Sequence, residues 1–406
     1  MQTNPDDAYQ DVCERLYAII QKSLDLNKAF GLFFLSLLGL FLSLPFRYNF
    51  LSFSFWGIYN EKTYRAYFSQ DFDFLKLLSS FWQSSFLGES IVVFDPSYLP
   101  KSGSKTAHLG KFWSGVLGEA KKGLEFGVLA LVSISQGQAY HLEAKQTLNS
   151  AELSALGDSL PVFYAKYLVS SLSSLTGFGT CLVVDAYFAK LSFLDTLGTL
   201  LDKYSLICKV RKDAYMRYLY EGEQKEGRGR NRLYAGKVNW KKLDMSYFSL
   251  AYQDQEKRLY SAILNYPALK RNFKVVVEQI LDKNGEVKTY KILICTNFKY
   301  SAKKISLYYQ NRFHIEFLIR DAKQHTGFTQ CQARDEKKLY FHSNMSLLAV
   351  SIAKLLYAKP LEKSKKYTFS MKNVKRLFLK ELIHKSFFQP FSKYKNKQKI
   401  NENGHK

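Results

Sequence analysis

The chain has 406 residues, of which 47% are hydrophobic, and it carries 59 Lys and Arg against 35 Asp and Glu, a formal net charge of +24. This length allows two or three domains around a large core, and the apolar content excludes an intrinsically disordered protein. A positive field of this size attracts polyanions, so nucleic acid is the first expected partner, an anionic membrane surface the second, and a Lys-rich compositional bias the neutral alternative.

The first 88 residues show helical periodicity, and we expect a helical N-terminal domain there. Within it, "AFGLFFLSLLGLFLSLPF" (29–46) has no charged residue and reaches the lower length limit of a membrane-spanning helix. Its serines, its glycines and Pro45 favour a buried helix, with a membrane span as the alternative. The preceding N-terminus is acidic and lacks the basic region of a secretory signal.

Residues 89–212 alternate between apolar strand patterns and helical patterns. Strands are expected at "ESIVVFD", "LEFGVLALVSIS", "AYHLEAKQTL", "FGTCLVVDAYFAK" and "SLICKVRKDAYM", and helices at "SALGDSLPVFYAKYLVSSLSSL" and "SFLDTLGTLLDKY". The order of three strands, helix, strand, helix and strand predicts a mixed α/β sheet.

The composition changes after this segment. Residues 213–300 are rich in charge, Gly and strand patterns, and "KNGE" supplies an Asn-Gly hairpin turn, so we expect a β-rich insertion. Helical periodicity returns over 301–357. Residues 358–406 form a basic tail with fourteen Lys and Arg against three acids from position 359 onward, and its end is expected to be a disordered arm.

The five cysteines stand far apart and form no CxxC pair. This spacing indicates reduced thiols in a cytosolic protein rather than a disulfide framework or a zinc site. They are Cys13, Cys181, Cys208, Cys295 and Cys331.

Two acids each follow a short apolar strand pattern, Asp95 after "IVVF" and Asp185 after "CLVV". Carboxylates at the ends of two buried strands point into a crevice at the edge of a sheet, where they can share a hard cation. Mg²⁺ prefers such oxygen ligands and leaves room for substrate phosphates. The alternative is that each Asp only caps the turn that follows it.

A third acid, Glu316, lies within the helical run "YYQNRFHIEFLIRDAKQHTGF" (308–328). On a helix, Tyr309, Arg312, Glu316 and Lys323 fall within an arc of about 60°, and Arg320 lies near the same line. One interpretation is a solvated ion-pair ladder of Arg312, Glu316 and Arg320. The other is a metal-binding carboxylate with adjacent cations that hold phosphates, and it also explains why Tyr309 and Lys323 continue the stripe.

The spacing Tyr309-(2)-Arg312-(3)-Glu316-(6)-Lys323 resembles the Tyr-Arg-Glu-Lys signature of bacterial insertion-sequence transposases with an Asp-Asp-Glu active site, in the insertion-sequence-four branch. "VFDPSYLPKSGSKTAHLGKFWSG" (93–115) and "CLVVDAYFAK" (181–190) are similar to the first and second Asp segments of that family. "HTGFTQCQARDEKKLYFHSNMSLLA" (325–349) is similar to the segment that follows the signature. Pro96-Ser97 departs from the pattern, because many relatives have a second acid or Thr after the first Asp.

This resemblance implies a ribonuclease-H-like mixed-sheet core in two parts (89–212 and 301–357), separated by the insertion, with an N-terminal DNA-binding domain. It implies that Asp95, Asp185 and Glu316 are catalytic and bind two Mg²⁺ or Mn²⁺ ions, and that Tyr309, Arg312 and Lys323 contact DNA. The implied activity is cleavage of transposon ends and strand transfer by two-metal phosphoryl transfer. The implied partners are double-stranded DNA of the terminal inverted repeats and the target, with two protomers pairing the ends. A bacterial cytoplasmic, nucleoid-associated location and no membrane are expected.

Further DNA contacts are predicted beside these motifs. The segment "KSGSKTAHLGKFW" next to the first Asp and the loop "GRGRNR" offer phosphate contacts, with solvated loop charges as the alternative. Trp240 offers a surface for stacking on a base, with ordinary packing as the alternative. Arg320 is a fourth candidate on the helix stripe. The first two segments contribute Lys101, Lys105, Lys111, Trp113, Arg228 and Arg230.

Two other functions remain open at this stage. The first is a basic DNA-binding protein without catalysis, related to the transposases and competing for the same DNA ends. The presence of all three carboxylates speaks against it. The second is a membrane-associated basic protein that uses residues 29–46 as its anchor.

Overall fold

The computed structural model describes residues 5–85, 88–175, 177–224, 227, 229–357, 359–360 and 367–384. The chain begins with five helices that precede the first strand. They are α1 (Pro5–Lys22), α2 (Lys28–Ser43), α3 (Phe50–Trp56), α4 (Glu61–Tyr67) and α5 (Phe74–Ser85). The predicted helical N-terminal unit is therefore confirmed.

Helix α2 is the predicted uncharged segment, and most of its residues are buried. The side chain of Asn27 caps its first turn by accepting from the backbone N–H of Phe30, and the helix ends just before Pro45, which disfavours the helical conformation of the residue that precedes it. Phe33 stacks on Tyr67 and contacts Phe341 of a later helix. The segment is a buried helix, as the sequence favoured, because aromatic side chains cover it on several sides.

Among the described residues, one helix is long and apolar enough to cross a membrane, Glu336–Tyr357, and 83% of its apolar window is buried inside the protein. A core helix of a soluble protein has the same length and composition, so this is weak evidence for a span. Helix α2, with 16 residues, is shorter.

Six strands form the first part of a mixed sheet. Strand β1 pairs antiparallel with β3 and parallel with β5, β3 pairs antiparallel with β4 and β2, and β5 pairs parallel with β6. The core order is therefore β4-β3-β1-β5-β6, which confirms the predicted mixed α/β, ribonuclease-H-like class. The strands are β1 (Ser90–Pro100), β2 (Gly110–Ser114), β3 (Glu119–Ser133), β4 (Gln138–Gln146), β5 (Cys181–Val184) and β6 (Ser205–Val210).

Short helices connect the later core strands, as predicted between β4 and β6. A single turn of 3-10 helix, Ala186–Phe188, follows β5 directly. The others are α6 (Ser150–Ala155), α7 (Leu160–Ser174), α8 (Leu191–Leu197) and α9 (Leu200–Lys203).

Six more strands extend this sheet instead of forming a separate one. Strand β12 pairs antiparallel with β6, so the order continues β6-β12-β11-β10-β7-β8, and β9 pairs with β10. The Asn-Gly turn predicted from "KNGE" connects β11 to β12, with Gly285 at φ +79°. The strands are β7 (Arg217–Leu219), β8 (Tyr234–Lys237), β9 (Ser249–Gln253), β10 (Lys257–Tyr266), β11 (Arg271–Leu281) and β12 (Val287–Cys295).

The run 308–328 is not one helix, which corrects the sequence prediction. Helix α10 (Ala302–Asn311) ends before Arg312, and α11 (His314–His325) begins after Phe313. Both intervening residues keep right-handed dihedral angles, but Ile315 and Glu316 donate to carbonyl groups only three residues earlier. The junction is a tightened turn without Pro or Gly, so no residue type marked it in the sequence.

The last described helices are α12 (Glu336–Tyr357) and α13 (Met371–Ile383). Helix α13 lies within the stretch predicted as a basic tail, yet it packs on the protein through an edge contact of Phe378 with Tyr9. The end of the tail, predicted as a disordered arm, lies outside the described residues.

All five cysteines are free thiols, as predicted.

Candidate active site

The two strand-associated acids meet at the edge of the parallel pair β1 and β5. Val92 pairs with Leu182 and Val93 with Val183, so the same register carried two residues further places Asp95 beside Asp185. Asp95 does not end its strand, which corrects the prediction, because β1 continues to Pro100 along β3. What ends there is the parallel partner β5, and this leaves the two carboxylates at an open edge.

Asp185 also caps the turn after β5, as its alternative reading proposed. Its Oδ1 accepts from the backbone N–H of Tyr187 at 2.9 Å. Burial raises the pKa of Asp185, and the hydrogen bond from Tyr187 and the charge of Arg312 oppose that shift. One carboxylate oxygen is thus engaged in capping, and the capping role and a role in the site are compatible.

Glu316 is connected to Asp95 through a cation. It lies in the first turn of α11, where a carboxylate is favoured by the helix dipole. Nη2 of Arg312 donates to Oε1 of Glu316 at 2.5 Å, and Nη1 of Arg312 lies 3.7 Å from Oδ1 of Asp95. The Arg312 side chain is only 12% exposed, so it bridges two of the three predicted catalytic carboxylates in a sheltered position.

Asp95 is the most strongly perturbed member of this group. Burial raises its pKa to about 7, the Arg312 charge opposes the shift, and Asp185, Glu316 and Glu125 add to it. These carboxylates together carry more negative charge than the single Arg312 guanidinium neutralises. Such a group favours the binding of a proton or of a further cation.

The other signature residues surround this group. Lys323 donates from Nζ to the backbone carbonyl of Tyr98 at 2.8 Å. Tyr98 lies three residues after Asp95 on β1. Burial lowers the pKa of Lys323, and the charge of Asp95 opposes that shift. Tyr309 places its ring 5.9 Å from the Arg312 guanidinium. Burial raises the pKa of Tyr309 to about 12, so its hydroxyl is neutral and can donate a hydrogen bond.

A cavity of about 1080 Å³ opens at the two Asp residues. Its wall contains Asp95, Asp185 and Lys323, together with Glu125 of β3, which the sequence reasoning missed. Glu125 accepts from the hydroxyl of Tyr164, and burial raises its pKa. The available signal was the position of Glu125 inside the apolar run "LEFGVLALVSIS", because a buried carboxylate needs a partner or a function.

Within the part of the chain that the structure describes, no three His, Cys, Asp or Glu side chains come close enough to hold a metal ion. The donor chemistry nevertheless fits a divalent cation in part. Asp95 and Asp185 are hard oxygen ligands beside a cavity, and burial, with a smaller contribution from the neighbouring carboxylates, raises the pKa of Asp95. Glu316 is held by Arg312, so its entry into such a site requires the guanidinium to move.

The predicted contacts after the first Asp lie in three different environments. Lys111 and Trp113, on β2, line the cavity, and Trp113 is 63% exposed. Lys105 is exposed in the loop between β1 and β2. Lys101 instead donates to the carbonyl groups of Cys331 and Ala333, so it connects two loops within the protein.

The remaining candidates lie elsewhere. Arg320 pairs with Asp321 at 3.0 Å and lies over the Phe317 ring. The interpretation of the stripe as an ion-pair ladder is therefore wrong for the pair of Glu316 with Arg320. Trp240 is 8% exposed and donates to the carbonyl of Ala214, which leaves no ring face for a base. Arg230 is exposed, and Arg228 lies outside the described residues.

No family model matches the chain, and no curated protein matches it. Seven chains of solved structures match, and one is a cryo-EM structure of a piggyBac transposase synaptic complex with hairpin DNA. That structure has a TM-score of 0.41 and 10% sequence identity, over 98% of this chain and 84% of the transposase chain. A likeness of this strength identifies no catalytic residue.

Proposed function

We propose that the chain is a metal-dependent DNA transposase that cleaves the ends of a mobile element and transfers the strands to target DNA. The observation that supports this best is the convergence of Asp95, Asp185 and the Arg312–Glu316 pair at one sheet edge. These residues come from three separate motifs whose spacing resembles that of Asp-Asp-Glu transposases. We also propose that the protein acts in the bacterial cytoplasm, associated with the nucleoid, and that its partner is DNA.

Asp95, Asp185 and Glu316 would hold one or two Mg²⁺ or Mn²⁺ ions. When bound, such ions activate the attacking oxygen and stabilise the leaving oxygen in phosphoryl transfer. The chain's own residues would position the substrate. Lys323 lies beside Asp95 and lines the cavity, so it is placed to contact a phosphate at the carboxylates. Because Tyr309 keeps its proton, it can donate to a phosphate oxygen.

In this proposal Arg312 can pair either with the carboxylates of the site or with a DNA phosphate. Without DNA it neutralises Asp95 and Glu316. A divalent cation at the carboxylates would take over that role and release the guanidinium, whose planar donors match a phosphate. Lys111 and the exposed Trp113 on the cavity rim would contact the DNA further from the reacting phosphate.

The test is strand cleavage by purified protein on DNA from both edges of its own genetic element, with Mg²⁺, with Mn²⁺ and with EDTA. The variants are Asp95→Asn, Asp185→Asn and Glu316→Gln, with Asp202→Asn as the matched control because Asp202 is an exposed acid on α9. We expect cleavage only by the wild type and the control, with DNA binding retained in all five proteins.

Wild-type levels of cleavage in the three active-site variants would overturn the assignment of the site. DNA binding by the wild type without cleavage under any metal condition would favour the alternative, a non-catalytic DNA-binding protein.

A further inference from the structure

A second concave surface, the basic groove, lies next to the carboxylate cavity, and of its cations the sequence predicted only Lys101 and Lys105 as DNA contacts. It has a volume of about 770 Å³ and is formed by three chain segments: the α2–α3 connection, the β1–β2 loop and the α11–α12 connection. Its wall contains Arg47, Lys101, Lys105 and Arg334 and no acid. Four cations without a carboxylate among them make this surface complementary to an anion.

Three of these cations are available for a ligand. Arg47, Lys105 and Arg334 are exposed, and none of them forms an ion pair with an acid in the described ranges. Surface cations that only maintain solubility are commonly interspersed with acids. Ser102, Ser104 and Gln332 add neutral hydrogen-bond donors to the same wall. Charged and neutral donors together suit phosphate oxygens.

The groove is held in shape by contacts between its three segments. Lys101 donates to the carbonyl groups of Cys331 and Ala333, the N–H of Ala107 donates to the carbonyl of Arg334 at 2.9 Å, and the N–H of Tyr48 donates to Gln330. Lys101 therefore joins the loops that carry Lys105 and Arg334, and the contact of Tyr48 joins the segment that carries Arg47 to them. A ligand would find these cations already positioned, which reduces the entropic cost of binding.

The basic groove is continuous with the cavity at the carboxylates. Pro100 and Thr329 line both surfaces. Pro100 ends strand β1, which carries Asp95, so one extended ligand can pass from the carboxylates into the groove. The cavity holds the acids and the groove holds only cations, an arrangement that suits a chain of phosphates with one member at the acids.

We propose that the basic groove binds the DNA phosphodiester backbone that continues from the phosphate at Asp95 and Asp185. Arg47 and Arg334 contact successive phosphates of that strand, and Lys101 acts as a positioning residue. The N-terminal helical unit thus takes part in substrate binding through the connection that follows α2. This inference rests on the proposed function, and it adds Arg47 and Arg334, which the sequence did not single out as DNA contacts, to the substrate-binding residues.

The test compares the double variant Arg47→Ala/Arg334→Ala with Lys283→Ala/Lys288→Ala, which removes the same charge from exposed positions around the β11–β12 turn. Binding of a fluorescein-labelled 40-base-pair DNA duplex is measured by anisotropy between about 50 and 300 mM NaCl. Loss of two phosphate contacts reduces the slope of log affinity against log salt by about 2 and lowers the affinity at low salt by roughly tenfold. We expect this change in the groove variant and an unchanged slope in the control.

The outcomes separate this inference from the proposed function. Equal slopes in the two double variants, with cleavage by the wild type intact, would overturn the groove assignment and leave the transposase proposal standing. Absence of DNA binding by the wild type would overturn both. Thermal unfolding of both variants at the wild-type temperature, measured by circular dichroism, shows that the comparison is between folded proteins.

Discussion

The guanidinium of Arg312 lies 3.7 Å from the carboxylate of Asp95, although Asp95 is in the middle of β1 and Arg312 is at the junction of α10 and α11. This contact joins the sheet edge to the helix that carries Glu316. Under the proposed function, Arg312 supplies to Asp95 and Glu316 in the free protein the positive charge that a bound metal ion would supply. Several predictions about metal binding and stability depend on contacts of this kind between distant segments.

Replacing Arg312 with Gln is expected to strengthen divalent-cation binding in the absence of DNA. The change removes a positive charge beside Asp95 and frees Glu316, so Mn²⁺ affinity at pH 8 is expected to rise by roughly tenfold, equivalent to about 1.4 kcal/mol. Isothermal titration calorimetry measures this directly. Arg320→Gln is the control, because Arg320 pairs with Asp321 instead. Equal affinities in the two variants would show that Arg312 does not compete with the metal.

His141 is expected to make the protein less stable in mild acid. It is buried on β4, with Nε2 2.8 Å from Oδ1 of Asn344, and burial lowers its pKa to about 3. The imidazole of His141 takes up a proton near pH 6.5 in the unfolded chain but only near pH 3 in the folded protein. The contribution of neutral His141 to the free energy of unfolding is therefore complete above pH 6.5 and is lost as the pH falls towards 3. Between pH 7 and pH 5 this amounts to about 2 kcal/mol.

Urea unfolding of the wild type and of His141→Gln at the two pH values tests this prediction. The neutral variant is expected to lose about 2 kcal/mol less free energy of unfolding between pH 7 and pH 5, whatever its absolute stability. An identical pH dependence in the two proteins would contradict the buried neutral state of His141.

The contributions of Tyr48 and Lys375 to the free energy of unfolding are expected to depend on each other. The Tyr48 hydroxyl contacts the carbonyl groups of Leu44 and His325 and accepts from Lys375, whose Nζ also donates to Phe41 at 2.9 Å. Tyr48→Phe is expected to cost about 1–3 kcal/mol, because it removes a hydrogen-bond partner from the buried Lys375 amine, whose pKa burial lowers to about 7. The cost is expected to be smaller in the Lys375→Met background.

A double-mutant cycle by urea unfolding measures this dependence. We expect an interaction energy of about 0.5–3 kcal/mol between the two positions. Additive effects would show that α13 is held by its apolar contacts alone, without a contribution from this polar contact.

Gly327→Ala is expected to destabilise the protein by two separate effects. Gly327 has φ +72°, and an added Cβ would lie 2.3 Å from Cδ2 of Tyr48. Gly118 has a similar φ of +68° with no atom within 4 Å of its added Cβ, so Gly118→Ala reports the backbone cost alone, about 1–2 kcal/mol. Gly327→Ala is expected to cost about 1–3 kcal/mol more. Equal losses in thermal or urea unfolding would mean that Tyr48 moves aside freely.

The local patterns of the sequence predicted much of the architecture. Apolar runs bounded by turns predicted the core strands and the helices between them, and the Asn-Gly pair predicted the β11–β12 turn. The serines, the glycines and Pro45 within the uncharged run 29–46 favoured a buried helix over a membrane span, and this helix is α2. These features depend on residues close together in the chain, and short-range periodicity reports them directly.

Other features of the site had no local signal. The break between α10 and α11 involves neither Pro nor Gly, and the buried position of Trp240 depends on the carbonyl of Ala214. Arg320 shared the predicted stripe but turned to its neighbour Asp321. For Trp240 and Arg320, a partner that the residue pattern does not specify decided the geometry.

The sequence by itself determined most of the order of strands and helices and the association of Asp95 and Asp185 with two apolar strand segments, but not where β1 ends. Only the tertiary structure decided that β1 and β5 pair in the register that brings Asp95 beside Asp185. It also decided that Arg312 bridges Asp95 and Glu316, that Glu125 faces the same cavity, and that Arg47 and Arg334 share a groove. The physical reason is that pairing register and side-chain partners depend on how distant segments pack together, which no local repeat of residue types records.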